Sequence, residues 1–201
     1  MNKSIFDPEY QQHDLSSKII AGLERISQAF KVLLWERAKN LGISPIQIQI
    51  LIFVAHHRIA LNNVSLLAQE FNVSKPTISD AVRVLHEKGL IVKDHSHSDN
   101  RSYSIFLSDE GKKIVAGTED FATPMANMLQ HISKGDQESL FSAISKLIYQ
   151  LNQQDILTVQ RTCFACRFYE QGGEEHYCRL LKKRLKHSDI RLDCHEFEAK
   201  L

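Results

Sequence analysis

Apolar residues along the first third of the chain recur at helical spacing. Leu15, Ile19, Leu23, Ile26, Phe30 and Leu33 lie three or four apart, which predicts one long amphipathic helix over about 12–42, closed by Gly42. Ser44-Pro45 opens a second helix, with serine as N-cap and proline in the first turn, where its missing N–H has no helical partner. Its apolar positions include Ile48, Leu51, Ile52 and Ala55. The polar link "NNV" leads to the short helix "SLLAQEFN", which Asn72 can end. In "SKPTISDAVRVLHEKG", Ser74 is placed to cap, Pro76 falls in the first turn and Gly89 supplies the stop. Ile78, Ala81, Val82 and Leu85 share one face of that helix, and Lys75, Thr77, Ser79, Asp80 and Arg83 share the other.

After Gly89 the period falls from helical to alternating. "LIVKD", the turn "HSHSDN" and "RSYSIFL" predict a β-hairpin with Tyr103, Ile105 and Leu107 on one side. Ser108 then caps a long helix over 108–132. "SKGD" interrupts it, and Leu140, Ile144, Leu147, Ile148 and Leu151 mark a last long helix over 136–157. The fold expected is mainly α with a small β-hairpin: a helix-turn-helix followed by a wing, between long helices. Residues 1–157 form this part, with the helix-turn-helix and wing at 44–107, and 158–201 form a tail.

A helix that enters a major groove needs an apolar face for its neighbours and a small polar face for the DNA. Ser74, Lys75, Thr77, Ser79 and Arg83 supply side chains able to bond phosphates and base edges. Asp80 on that face repels phosphate unless it pairs with Arg83 or accepts from a cytosine amine. The wing tip should bring a cation to the electronegative minor groove, and Arg101 stands there, with Asp99 placed to orient it. His95 and His97 read as solvated wing residues, His56 and His57 as structural, and Trp35 as core or interface.

With those residues in view, positions 12–157 resemble the MarR family of bacterial transcription regulators. "SKPTISDAVRVLHEKGLIVKD" is similar to that family's recognition helix and first wing strand, "DNRS" to its wing word, and "LSDEG" to the entry of its fifth helix. The resemblance implies a homodimer whose first and last long helices intertwine, reading a palindrome in double-stranded DNA. It also implies a small-molecule effector, which the sequence does not identify. Two-fold symmetry separately places the half-sites about one turn of DNA, roughly 34–36 Å, apart.

Composition alters this picture little. Of 201 residues, 43% are hydrophobic and 24% charged, ordinary for a globular protein. A net charge of +1 does not by itself argue for nucleic acid, so that reading rests on the motif. No apolar run reaches membrane-span length, and "MNKSIFDPEY" carries no signal peptide, so a cytoplasmic location with no membrane partner is expected. No Gly-rich phosphate loop or catalytic pairing is visible, so an enzyme is not expected.

The tail adds its own chemistry. The chain's four cysteines, Cys163, Cys166, Cys178 and Cys194, all lie within it, spaced Cys-x2-Cys-x11-Cys-x15-Cys. In a reducing compartment such a set points to metal rather than disulfides. So short a segment carries too little apolar surface to order itself and needs a staple, which four thiolates on one centre would provide. Zinc takes four thiolates tetrahedrally, but the common ribbon has two tight knuckles and this tail has one. Iron–sulfur clusters also take four cysteines. Zinc is the first reading, a cluster the alternative, and a metal-free dithiol switch remains. "RLLKKRLK" after Cys178 reads as a short helix whose cations moderate the thiolate charge, and His176 and His195 read as bystanders. Such a centre would stabilise the tail or switch the protein, through the last long helix and the dimer spacing. Two rival readings are a redox or electron-transfer protein and a winged-helix adaptor, neither of which binds DNA.

Overall fold

The computed structural model describes residues 4–95, 103–172 and 175–200. Asp99 and Arg101, with His97, lie outside the described residues.

A short helix α1 (Pro8–His13) precedes the long α2 (Leu15–Leu41). Asp14 separates them: its carboxylate accepts from the Ser17 amide at 2.7 Å and caps α2. Gly42 ends α2 in the left-handed region at φ 60°, its amide returning to the last turn. Next come α3 (Pro45–His56), α4 (Val64–Glu70) and α5 (Lys75–Glu87). The α4–α5 turn depends on Asn72 at φ 52°, and Gly89 closes α5 at φ 70°. Strands β1 (Ile91–Asp94) and β2 (Ser104–Leu107) pair antiparallel, Ile91 opposite Leu107 and Asp94 opposite Ser104.

These elements share one core. Ile48, Ile50 and Leu51 of α3, Leu67 of α4, Ile78, Val82 and Leu85 of α5 and Ile105 of β2 are fully buried together. Each such side chain contributes about 1.5–3 kcal/mol through removal from water. The chain between α3 and α4 joins the wing, because the Ile105 amide donates to the Asn62 carbonyl at 2.8 Å. The wing is thereby fixed to the helix-turn-helix.

The expected single helix over 108–132 is corrected to three pieces. α6 (Asp109–Ala116) stops at Gly117, a 3-10 turn spans Glu119–Ala122, and α7 (Thr123–Leu129) follows. The break has a local cause. Buried Thr118 turns its hydroxyl back to the Ile114 carbonyl at 2.7 Å, competing with the helical ladder, and Pro124 has no amide to continue it. α8 (Lys134–Gln153) is the last long helix.

The tail folds as a small three-stranded antiparallel sheet, β3 (Tyr169–Gly172), β4 (Glu175–Cys178) and β5 (Lys183–Leu185), in that spatial order. The helix expected in "RLLKKRLK" is therefore also corrected. Leu180 and Leu181 occupy the β4–β5 turn, Lys182 takes φ 51° there, and Lys183–Leu185 pairs with β4. Cys163, Cys166, Tyr169 and Ile190 form its buried centre, against which Phe164, Phe168, Leu185, Phe197 and Phe141 of α8 pack.

Candidate nucleic-acid interface and thiol cavity

α5 turns its apolar residues inward and leaves Ser74, Lys75, Thr77, Ser79 and Arg83 exposed on one face. Ser74 has a structural duty there. Its hydroxyl accepts from the Thr77 amide at 3.3 Å and lies 2.8 Å from the Thr77 hydroxyl. Both hydroxyls are thus committed to the cap, at the helix end that approaches a ligand first. Arg83 is held on its own helix: Glu87 accepts at 2.9 Å and Asp80 lies 3.8 Å away. The Glu87 carboxylate raises the Arg83 pKa above its ordinary value. The negative charge of Asp80 is therefore shared within a triad with Arg83 and Glu87. In the wing, Lys93 places its ammonium 4.9 Å from the Tyr103 ring centre, and the His95 ring lies 5.3 Å from the same ring.

The four cysteines, brought from three separate segments, line one cavity of about 30 Å³. Cys163 and Cys166 stand on either end of the 3-10 turn Cys163–Ala165, Cys178 ends β4, and Cys194 lies in the last loop. Phe168, Tyr169, Leu180, Leu181 and Leu185 supply apolar wall. The Arg191 amide donates to the Cys163 sulfur at 3.3 Å, and the Arg191 guanidinium reaches the Cys194 sulfur at 3.6 Å. Burial pushes the Cys163 thiol pKa up, the nearby Cys194, Cys178 and Cys166 push the same way, and the Arg191 amide opposes them. Cys194 in turn raises the pKa of Arg191. Burial, with Cys163 beside it, pushes Tyr169 up to about 12. Among the described residues, no three or more His, Cys, Asp or Glu side chains are set to hold a metal ion as they stand. The cysteines converge on a shared space without closing on a point.

The three histidines of the tail, His176, His187 and His195, do not line that cavity. Buried His176 sits 2.5 Å from the Tyr169 hydroxyl and 3.1 Å from His187. Its pKa is lowered by burial first, then by His187 and Lys146. The His195 ring lies 6.4 Å from that of His57.

Sequence reasoning missed how the tail meets the helix-turn-helix. Arg161 bridges Asp193 of the tail at 2.5 Å and Glu70 of α4 at 2.7 Å. Burial lowers the Arg161 pKa, but bonds to Asp193 and Glu70 outweigh it and the net shift is upward. Asp193 also accepts from His57, which stacks on Phe53 of α3 with ring centres 3.7 Å apart. Burial raises the Asp193 pKa, and Arg161 and His57 together bring it below its ordinary value. Arg58 pairs with Glu196 at 3.1 Å, Asn72 donates to the Ile156 carbonyl, and Thr158 donates to the Gln69 carbonyl. Both ends of this seam touch the cysteines: the Cys163 amide bonds to the Arg191 carbonyl, and the Cys194 amide to the Arg161 carbonyl. No periodicity signals partners so far apart in sequence.

A helix-turn-helix on one core with a two-stranded wing defines a winged-helix protein. The model of the MarR family matches residues 41–102, from the end of α2 through the first wing strand β1 and ending before β2. Among solved structures, the S. aureus MepR–DNA complex is similar at 22% identity, covering 64% of this chain and 94% of that one, with a TM-score of 0.57. A MarR protein from Peptoclostridium difficile aligns at 16% identity over 68% of this chain and 88% of its own, TM-score 0.60. A MarR transcriptional regulator from Methanosarcina mazei Go1 aligns at 18% identity over 70% and 97%, TM-score 0.55. At these identities the likeness establishes the fold. No curated protein matches the chain. Among the described residues, no single helix is long and apolar enough to cross a membrane.

Proposed function

We propose that the chain is a sequence-specific, DNA-binding transcription regulator of the MarR type rather than an enzyme. The observation that carries this is α5: a capped helix with a buried apolar face and an exposed row of Ser, Lys, Thr, Ser and Arg, followed at once by a wing. The MepR relative named above was solved with DNA, which supports duplex DNA as the partner here. A homodimer on a palindrome is supported by α2 and α8. Ile19, Ile26, Phe30, Val32 and Trp35 of α2 and Leu140 and Leu147 of α8 are exposed in the single chain, apolar side chains on two long helices that a second copy would cover. Trp35, 60% exposed, thus belongs to the proposed interface and not to the core. The protein would act in the cytoplasm, with or without a small-molecule effector.

The tail's role in this reading is a four-thiolate centre, zinc or iron–sulfur, that stabilises or switches the regulator. The convergence of Cys163, Cys166, Cys178 and Cys194 on one cavity supports it.

Anisotropy titrations of labelled duplexes test the DNA reading. Selection from random duplex should yield a palindrome bound at least tenfold above scrambled sequence, with affinity falling steeply as salt rises. Lys75→Ala should flatten the salt slope by about 1, and Arg101→Ala should weaken binding strongly. Binding indifferent to sequence and to both substitutions would favour the adaptor.

A further inference from the structure

We propose that α8 and the tail together form a binding cleft for a small aromatic anion, a site that depends on neither the DNA reading nor the thiol centre. The cleft has a volume of about 800 Å³ and opens to solvent. Sites for small molecules measure about 300–1,000 Å³. All of its residues lie outside the segment 41–102 that the family model matches.

Its charge is one-sided. Lys146 of α8, Lys200 near the end of the chain, and His176 and His187 of the tail line it, and among the described residues no Asp or Glu does. The chain carries 24 acidic residues against 25 lysines and arginines, so this separation is not imposed by composition. Acids on the neighbouring strands are turned to other partners: Glu170 holds Arg179 at 3.1 Å, and Glu175 holds Arg184 at 3.1 Å. Along α8 the positions three and four from Lys146 are Ser142, Ala143, Tyr149 and Gln150, which offer it no carboxylate. A concave surface lined by one sign of charge concentrates ions of the other sign. His176 is buried and fixed between the Tyr169 hydroxyl at 2.5 Å and His187 at 3.1 Å, which holds the exposed His187 in place.

The body of the ligand is set by the rings. Tyr149 of α8 and Phe164 of the tail stand 5.9 Å apart between centres and are tilted by 59°, so neither covers the face of the other. Phe164 meets Tyr169 edge-on at 5.5 Å. Aromatic rings prefer such offset and edge-on neighbours, and a ligand ring fits the same pattern. The Lys200 ammonium donates to the Phe164 carbonyl at 3.1 Å and lies 5.3 Å from the Tyr169 ring centre. A fixed cation therefore stands beside the aromatic wall. A neutral ring bound here would desolvate the lysines without a partner, and an anion without a ring would leave the aromatic wall wet. A ring that carries a carboxylate or a phosphate satisfies both.

The experiment titrates the full chain with benzoate, phenyl phosphate, benzyl alcohol and inorganic phosphate, followed by NMR of the tyrosine and histidine rings. Benzoate or phenyl phosphate should saturate, with an affinity about tenfold or more above that of benzyl alcohol and of inorganic phosphate. The shifts should centre on Tyr149, His176 and His187. The tighter of the two aromatic anions tells whether the site takes a carboxylate or a phosphate. Lys146→Gln and Lys200→Gln, both at exposed positions, should each weaken binding by about threefold, and Lys146→Arg should restore it. Benzyl alcohol binding as tightly as the anions, shifts centred elsewhere, affinity indifferent to both lysines, or no saturation by either aromatic anion would each overturn the proposal.

Discussion

Arg161→Met should loosen the tail from the helix-turn-helix without unfolding either. The arginine side chain is 15% exposed and Glu70 is 21% exposed, so this pair is largely screened from water, whereas Asp193 is 44% exposed. Breaking a fully buried pair by removing one partner costs about 3–5 kcal/mol, since it strands the other charge. An exposed pair contributes about 0.2–1 kcal/mol. Glu70 lies between these limits and Asp193 near the lower one, and methionine keeps most of the packing over Phe53. A loss of about 2 kcal/mol follows, roughly thirtyfold in the equilibrium for tail opening. Hydrogen exchange would read it locally. The Cys163 and Cys194 amides, bonded within the tail to the Arg191 and Arg161 carbonyls beside the Arg161–Asp193 pair, should lose protection by that factor as that edge is freed. Amides of α5 should not change, because their core contains no tail residue. A Glu70→Gln cycle checks the assignment: the two substitutions together should cost much less than their sum. Unchanged protection at Cys163 and Cys194, or additive costs, would refute the view that this seam couples the two parts.

Three further outcomes follow from the geometry. Gly111→Ala should destabilise the winged part by about 2–4 kcal/mol in thermal or urea unfolding, because a Cβ there would drive into the Leu90 carbonyl oxygen at the junction of α6 with the wing. Glu87→Gln should free Arg83 from its i,i+4 partner and tighten DNA binding by about two- to threefold, with a steeper salt slope; weaker binding would mean that the pair itself is what contacts DNA. Asp14 has its carboxyl pKa lowered by the hydroxyl and amide of Ser17. Its contribution to the α2 cap is therefore complete above the ordinary carboxylate range and is lost as pH falls through the lowered value. NMR titration of the Ser17 amide should follow that midpoint, and Asp14→Asn should abolish the pH response.

The parts of this fold legible in the sequence are those with a local cause. α5 was readable because Ser74 caps it, Pro76 needs no partner in its first turn, and Gly89 tolerates the φ of 70° that ends it. The wing was readable from alternation, and the thiols from their spacing. Where the structure departs from the local pattern, the cause is also local. Thr118 and Pro124 interrupt the 108–132 helix in plain view, and "RLLKKRLK" has enough leucine and lysine for a helix although β4 claims Lys183–Leu185 by pairing. The contacts that bind the tail to the helix-turn-helix belong to a different kind of fact. Glu70, Arg161 and Asp193 are common surface residue types, and nothing in their neighbourhoods marks them as partners.

Their positions nevertheless bear on what the tail is for. A segment that needed only a staple could hang from α8 and stay clear of the rest. This one sets charged pairs at the ends of α3 and α4, through Arg58 and Glu70, and a hydroxyl bond from Thr158 to the Gln69 carbonyl of α4. Arg161, which makes the Glu70 contact, is two positions from Cys163, and Asp193, which holds both Arg161 and His57, is next to Cys194. A rearrangement at those two sulfurs that shifts the backbone carrying Arg161 and Asp193 would pull on α4 through Glu70. That route is shorter than one through α8 and the dimer spacing, and it acts within a single chain. On the proposed reading, Arg161→Met should abolish the response of DNA binding to thiol oxidation while leaving the preferred duplex sequence unchanged, as anisotropy titrations before and after oxidation would show.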